Sequence, residues 1–342
     1  MNPKKINVAV VGLGFMGMTH LRSYQQIDSA RIAAVCDASR LPVNGALSGV
    51  DGNITTAEAI HLGNDVKICR TLDEILADPG VDLVDLCVPT PLHVQQPLAA
   101  FKAGKHVICE KPLARTSAQA RELVAAAQAA SVFFMPAMCI RFWPEWAWLK
   151  QAVEQKTFGA VLAARFRRVS EPPGWSRANY FKGEQSGGAL FDMHIHDVDF
   201  VQYLFGRPQS VYANGLSRFS GAIDHVLALY KIDSGATVSA EASWLMHPGH
   251  GFNMAYTVNF ERATADYDSS RGAEALKVYQ EGQGMSAVKC PGPDGYVSEL
   301  RHMIHSIQSG TPPSVTAQDA LSAVEICEAE EQSIKTGRAV CL

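Results

Sequence analysis

The sequence predicts an α/β protein in two parts. Residues 1–138 should form a doubly wound parallel sheet with helices on both faces, a Rossmann domain. Residues 139–342 should form an α/β domain with a large, mostly antiparallel open sheet. Three observations predict this. Short apolar runs alternate with helical patterns up to about residue 138. A glycine pattern closes the first of those runs. From about residue 160, strand-like runs follow one another without intervening helices.

The elements read in order as follows. INVAVVGLG, residues 6–14, is valine-rich and ends in glycine, as a buried parallel strand does. A polar helix, THLRSYQQI, leads to a second strand at 31–37. TLDE at 71–74 has the form of a capping box, with Thr71 as cap and Glu74 reaching back. A strand follows at 81–90, then a helix that tolerates Pro97 and closes at Gly104, then a strand at 105–112. Thr116 and Gln119 form a second candidate box before an Ala/Leu/Val helix, and 132–138 is the last strand of the alternation. Beyond the boundary near 135–146, strands are expected at 161–170, 209–217, 225–232, 237–245 and 254–261. Two closing helices each stop at a glycine.

A length of 342 residues fits two domains at roughly 100–200 residues each. Hydrophobic residues make up 47% and charged residues 19%, so large cores are affordable and global disorder is excluded. The net charge of −4 and the absence of a long basic run argue against nucleic acid or an anionic membrane as partner. No apolar stretch reaches the length of a membrane span. The eight cysteines form no Cys-x-x-Cys, and several sit in apolar runs. Free core thiols, a reducing compartment and a cytoplasmic location are expected. The opening MNPKKINVAVVGLGFMG is read as a strand, not a targeting signal.

Gly12, Gly14 and Gly17 form G-x-G-x-x-G between a strand and a helix, and Asp37 follows 20 residues after Gly17 at the end of the second strand. That context is the dinucleotide fingerprint. Gly12 permits the tight turn, Gly14 lets the backbone approach a pyrophosphate, and Gly17 lets helix and strand pack. Phe15 and Met16 complete the loop, and helix amides receive the phosphates. Asp37 would accept from the adenosine ribose hydroxyls and repel a 2′-phosphate, favouring NAD. Ser39 and Arg40 leave NADP open.

The stretch GGALFDMHIHDVDF, 187–200, holds two histidines and three aspartates. It admits a metal site, a catalytic pair or an inert polar helix face. Read as one helix over 187–205, it places Phe191, Ile195, Val198 and Phe205 on one face. Asp192, His196, Asp199 and Tyr203 line the next, at i, i+4, i+7 and i+11. Asp192 and His196 then point together, whereas His194 and Asp197 point elsewhere. His-x-His on a helix does not converge and no Cys or Glu cluster completes a ligand set, so no metal is expected.

GLGFMG, EKP (Glu110, Lys111, Pro112) and GGALFDMHIHDVD together resemble the Gfo/Idh/MocA family of nicotinamide-dependent oxidoreductases of sugars and polyols. The resemblance extends through PTPLH at 89–93, RFWP and the C-terminal tail, and covers essentially the whole chain. It implies a Rossmann domain followed by an open-sheet domain that often mediates oligomer contacts, here a homodimer or homotetramer. The family's catalytic lysine matches Lys111, and its Asp-x-x-x-His pair matches Asp192 and His196. Thr90, His93 and Glu110 fall on cofactor-side motifs. His194 stands where many members have glycine.

The chemistry suits these residue types. Oxidising a secondary alcohol needs a base for the hydroxyl proton, and histidine titrates near neutrality. Asp192 would orient substrate or His196. Lys111 would stabilise a developing alkoxide. Arg141, Trp143 and Trp175 are substrate-pocket candidates, although aromatics near a domain junction are often core. His194, Asp197 and Asp199 are expected to be supporting or solvated. The main expectation is an NAD-dependent dehydrogenase of a sugar, inositol or related polyol. The rivals are a hydride-shuttle glycosidase or epimerase with bound NAD, and a non-catalytic sensor of NAD or sugar.

Overall fold

The structure, a computed structural model, describes residues 4–52 and 58–342. The chain divides into two compact units, Met1–Cys139 with Asp294–Leu321, and Ile140–Pro293 with Ser322–Leu342.

The first unit is built on six parallel strands: β1 (Ile6–Val11), β2 (Ala30–Cys36), β3 (Lys67–Cys69), β4 (Leu83–Leu86), β5 (His106–Glu110) and β6 (Phe134–Ala137). Their order is β3-β2-β1-β4-β5-β6, with the direction of winding reversing beside β1. Ligands of such sheets bind at that switch point, beyond the carboxyl ends of the strands. Val8, Ala9, Val10, Leu83, Val84, Leu86, Val107 and Ile108 are all buried, which is why these strands read as unbroken apolar runs. The helices between them are α1 (Phe15–Tyr24), α2 (Leu72–Leu76), α3 (Gln95–Lys102) and α4 (Ser117–Ala129). The box at Thr71 and Glu74 has both of its bonds. At Thr116 the hydroxyl accepts from Gln119 N–H. Pro97 lies in the first turn of α3, where a missing N–H costs nothing.

The second unit is built on nine strands: β7 (Val161–Val169), β8 (Ser210–Leu216), β9 (His225–Lys231), β10 (Thr237–Ser243), β11 (Asn253–Phe260), β12 (Ala263–Asp268), β13 (Leu276–Gln280), β14 (Gly284–Ala287) and β15 (Val340–Cys341). Their order is β14-β13-β12-β11-β7-β10-β9-β8-β15. All neighbours are antiparallel except β10 and β7. Helices α5 (Pro144–Glu154) and α6 (Ile195–Phe205) pack on one face. Trp146 of α5 is fully buried there, stacked on Phe166 and edge-on to Phe200 and Tyr256. On the opposite face Tyr212, Leu227 and Leu229 of the adjacent strands β8 and β9 are exposed, with Leu216 nearby.

The closing helices are α7 (Gly295–Ser309) and α8 (Ala317–Thr336). The sequence reading assigned the entire tail to the second domain. Instead α7 belongs to the first unit, because its buried stripe of Val297, Leu300, Met303 and Ile304 is covered by α1 and β1. The division falls inside α8. No helix among the described residues is long and apolar enough to cross a membrane.

Replacing the central aromatic of the second unit is expected to be costly. Trp146→Ala should lose about 3–5 kcal/mol of stability, read as a lowered urea midpoint at an unchanged slope.

Candidate active site

The glycine loop has the geometry its spacing promised. Gly12 sits at φ +88°, and a Cβ there would stand 2.4 Å from the Cys87 carbonyl oxygen. A Cβ on Gly17 would stand 1.8 Å from the Gly12 oxygen, so α1 meets the loop by bare backbone contact. Gly14 differs: it is exposed, and nothing lies within 4 Å of where its Cβ would be. It is also the N-cap of α1 and offers no side-chain cap, and that first turn carries no acidic residue. The amides of Phe15, Met16 and Gly17 therefore head an uncapped helix end beside open space, which suits a pyrophosphate.

Asp37 is braced to this loop. Its Oδ2 accepts from Leu13 N–H at 2.8 Å, and its Oδ1 accepts from Ser39 and Arg40 N–H at 2.9 and 2.8 Å. Burial pushes its pKa up, but the bonds from Arg40, Leu13 and Ser39 outweigh that and hold it below the usual carboxylate value. Oδ2 retains capacity for a further donor, as a ribose hydroxyl would be. The Arg40 guanidinium donates to the carbonyls of Leu13 and Ser48. Both terminal nitrogens of this guanidinium are thus engaged in the protein's own loop.

At the end of β5, Glu110, Lys111 and Pro112 form a corner with a cis Lys111–Pro112 bond. Lys111 is partly exposed and Pro112 buried. Glu110 Oε2 accepts from the Lys111 N–H at 3.2 Å. Thr90 opens a short 3-10 turn, Thr90–Leu92, and is partly exposed. His93 was expected on the cofactor. It is buried instead, with Nδ1 2.7 Å from the Pro112 carbonyl and Nε2 2.7 Å from the Val88 carbonyl. Burial holds the ring below the ordinary histidine value, so it is neutral and its single N–H donates to one of these two carbonyls, between the end of β4 and the Lys111 corner.

The 187–200 stretch departs from a regular helix. Gly187 and Gly188 have φ of +77° and +67°, and a Cβ on Gly188 would lie 2.5 Å from the Ile223 carbonyl oxygen. The chain then makes a π-turn, Leu190–His194, before α6 begins at Ile195. This corrects the expectation of one uniform helix: the wide turn inserts a register change between Asp192 and His196. Of the expected apolar face, Phe191, Ile195 and Val198 are fully buried and Phe205 only partly.

Of the two alternatives for His194, Asp197 and Asp199, supporting or solvated, the structure shows the first. All three are buried, and each has a partner. His194 Nε2 lies 3.1 Å from Tyr230 Oη and 3.2 Å from Glu330 Oε2, and Tyr230 donates to Glu330 Oε1 at 2.7 Å. Asp197 pairs with Arg168 through two bonds of 2.9 and 3.1 Å. Asp199 takes two bonds from Arg141, at 2.7 and 2.6 Å, and that guanidinium lies over the Tyr203 ring. Arg141 therefore braces α6. Trp143, the N-cap of α5, and Trp175, in a 3-10 turn, are partly exposed. Of the residues from 187 to 200, only Asp192 and His196 are not buried.

Sequence reading missed the partners Arg168, Tyr230 and Glu330, and the buried histidine His20 of α1. The one available signal was an excess of polar residues in 187–200 beyond what one exposed face can hold. Asp197→Asn should cost about 3–5 kcal/mol, because it leaves the Arg168 charge buried without its counterion. Chemical denaturation of the variant beside the wild type measures the loss.

Comparison with known proteins agrees with this geometry. Residues 6–138 match the model of the GFO_IDH_MocA oxidoreductase family with its NAD-binding Rossmann fold, and residues 146–266 match the GFO/IDH/MocA C-terminal domain. The chain is 28% identical to a myo-inositol 2-dehydrogenase of Thermotoga maritima over 98% of each chain. It is 28% identical to a levoglucosan dehydrogenase of Pseudarthrobacter phenanthrenivorans over 76% of this chain and 75% of that one. A D-apiose dehydrogenase of Paraburkholderia graminis is 26% identical over 98% and 90%. Among solved structures, a levoglucosan dehydrogenase in complex with NADH and levoglucosan has the same fold, with a TM-score of 0.84 at 21% identity over 99% of both chains. The glycine loop, the Asp37 brace and the two family matches lead to one statement: this chain belongs to the Gfo/Idh/MocA family of oxidoreductases, with an NAD-binding Rossmann domain at its N-terminal end.

Proposed function

We propose that this protein is an NAD-dependent dehydrogenase of a secondary alcohol on a sugar, inositol or related polyol. One observation carries the reading. In a stretch where every other polar side chain is buried, Asp192 and His196 alone reach the surface. A purely structural segment would have no reason to leave a carboxylate and an imidazole accessible together.

When bound, NAD supplies the hydride acceptor. His196 takes the hydroxyl proton of the substrate, Asp192 orients the ring or the substrate, and Lys111 donates to the reacting oxygen as negative charge develops on it. Asp37 receives the ribose hydroxyls, and the engagement of Arg40 with Leu13 and Ser48 favours NAD over NADP. Trp143 and Trp175 offer aromatic surface to a sugar ring. The relatives named for inositol, levoglucosan and apiose support a polyhydroxylated substrate. The exposed Tyr212, Leu216, Leu227 and Leu229 support a homodimer or homotetramer formed through the open sheet face. The eight thiols, none in a disulfide, support a reducing, cytoplasmic setting.

Purified protein mixed with NAD or NADP and a panel of sugars and polyols should generate reduced-nicotinamide absorbance, with NAD preferred. Lys111→Ala should lower kcat by about 10²–10³-fold. Asp37→Ala should weaken NAD binding by about 10–100-fold, the worth of a hydrogen bond to a charged group. Tight NAD binding without accumulation of NADH would favour the hydride-shuttle chemistry. Failure to bind either nucleotide would contradict the proposal.

A further inference from the structure

The dehydrogenase reading leaves one group of buried titratable side chains unused. His20 of α1 is fully buried in the first unit. Its Nδ1 is hydrogen-bonded to Asp85 Oδ2 on β4 at 2.8 Å, and its Nε2 lies 3.2 Å from Glu110 Oε1 at the end of β5, an ion-pair contact without hydrogen-bond geometry. Glu110 turns its other oxygen to the Lys111 N–H. A chain of contacts thus runs from Asp85 through His20 and Glu110 to the backbone of the lysine placed in the chemistry.

The protonation state follows from the donor inventory. Carboxylates only accept, so a neutral imidazole would turn a bare lone pair toward one of them, whereas a doubly protonated ring meets both with positive charge. Two buried carboxylates without a cation would be expensive. Cys87 after β4 and Tyr296 on α7 face the ring, and Tyr24 on α1, Cys109 on β5 and Glu299 on α7 lie around the same group of side chains. Burial pushes the phenols of Tyr24 and Tyr296 and the thiols of Cys87 and Cys109 up, keeping them neutral. For His20 burial acts against the charge, but Asp85 outweighs it and holds the ring well above the ordinary histidine value. His20, Asp85 and Cys87 are also close enough together to suggest metal ligands. A tetrahedral ion would hold Nδ1 and Oδ2 further apart than a hydrogen bond does.

We propose that His20 is a positioning residue for Lys111. Clamped between Asp85 and Glu110 as an imidazolium, it fixes the Glu110 carboxylate, which in turn fixes the backbone from which the lysine side chain starts. The clamp rests on geometry; its consequence for turnover rests on the dehydrogenase reading.

The test uses the whole protein without substrate, then with it. Long-range proton–nitrogen NMR of the histidine rings should show His20 doubly protonated at pH 7 and beyond, and Glu110→Gln should bring its titration down. The raised value has a stability signature. The contribution is fully present below the unfolded value of about 6.5 and is lost as pH rises through the folded one. Thermal stability should therefore fall on alkalinisation more in the wild type than in His20→Gln. The dimethylated Lys111 signal, assigned through Lys111→Arg, should move in His20→Gln. In turnover kcat should drop by about 10–100-fold, with KM for NAD little changed. Glu110→Gln, which keeps shape and an acceptor, should show the same direction if His20→Gln does not fold. A neutral His20 ring at pH 7 overturns the proposal. So does a folded His20→Gln protein with the Lys111 signal and kcat unchanged. A wild type without dehydrogenase activity but with a charged His20 and a moving Lys111 signal would sink the functional reading and leave the clamp standing.

Discussion

Burying a charged helix segment demands a partner for each charge, and the second unit is arranged around that demand. The stretch from Gly187 to Phe200 lies against the nine-stranded sheet with almost all of its surface covered. Each of its buried ionisable groups reaches a different element: His194 to β9 and α8, Asp197 to β7, Asp199 to the turn before α5. Leaving any one unmatched would cost several kcal/mol, so the three contacts together fix the rotation and depth of the segment. With that fixed, Asp192 and His196 have no freedom about which way they face. Gly187 and Gly188 start the π-turn where no Cβ would fit, and the His194 contacts hold its far end.

The first unit uses the same economy for a different purpose. Its glycine loop keeps side chains away from the head of α1, and Asp37 is held by amides from both sides of the loop. Two buried histidines then converge on the Lys111 corner. His93 reaches the Pro112 carbonyl, and His20 reaches Glu110. A lysine with a long flexible side chain gains little precision from its own rotamers. Anchoring its backbone on both sides is how a fold makes such a residue reproducible.

What could be read from the sequence follows from how local each signal is. The strands β1, β2, β4, β5 and β6 were legible because parallel strands buried on both faces are continuous apolar runs. The edge strands β3 and β14 are short and largely exposed, and nothing in their composition marks them. The close approaches at Gly12 and Gly17 were legible because each is a contact within the loop or with its neighbouring strand. The partners of His20, Asp197 and Asp199 were not, since they lie 65, 29 and 58 residues away and spacing along a helix says nothing about them. The π-turn was invisible for the same reason. Its apolar pattern is that of an α-helix, and only tertiary contacts at its two ends select the wider turn.

The central claim is that His196 is one of two groups on this segment set aside for chemistry while the others hold it in place. The most direct measurement is the pH dependence of hydride transfer in a single turnover, compared between the wild type and His196→Gln. The wild-type rate is expected to rise with pH, as the rate of a general-base reaction does. In His196→Gln that dependence should vanish and the rate collapse, while NAD affinity and melting temperature are retained. An identical profile in the two proteins, or a variant that loses stability instead of rate, would contradict it.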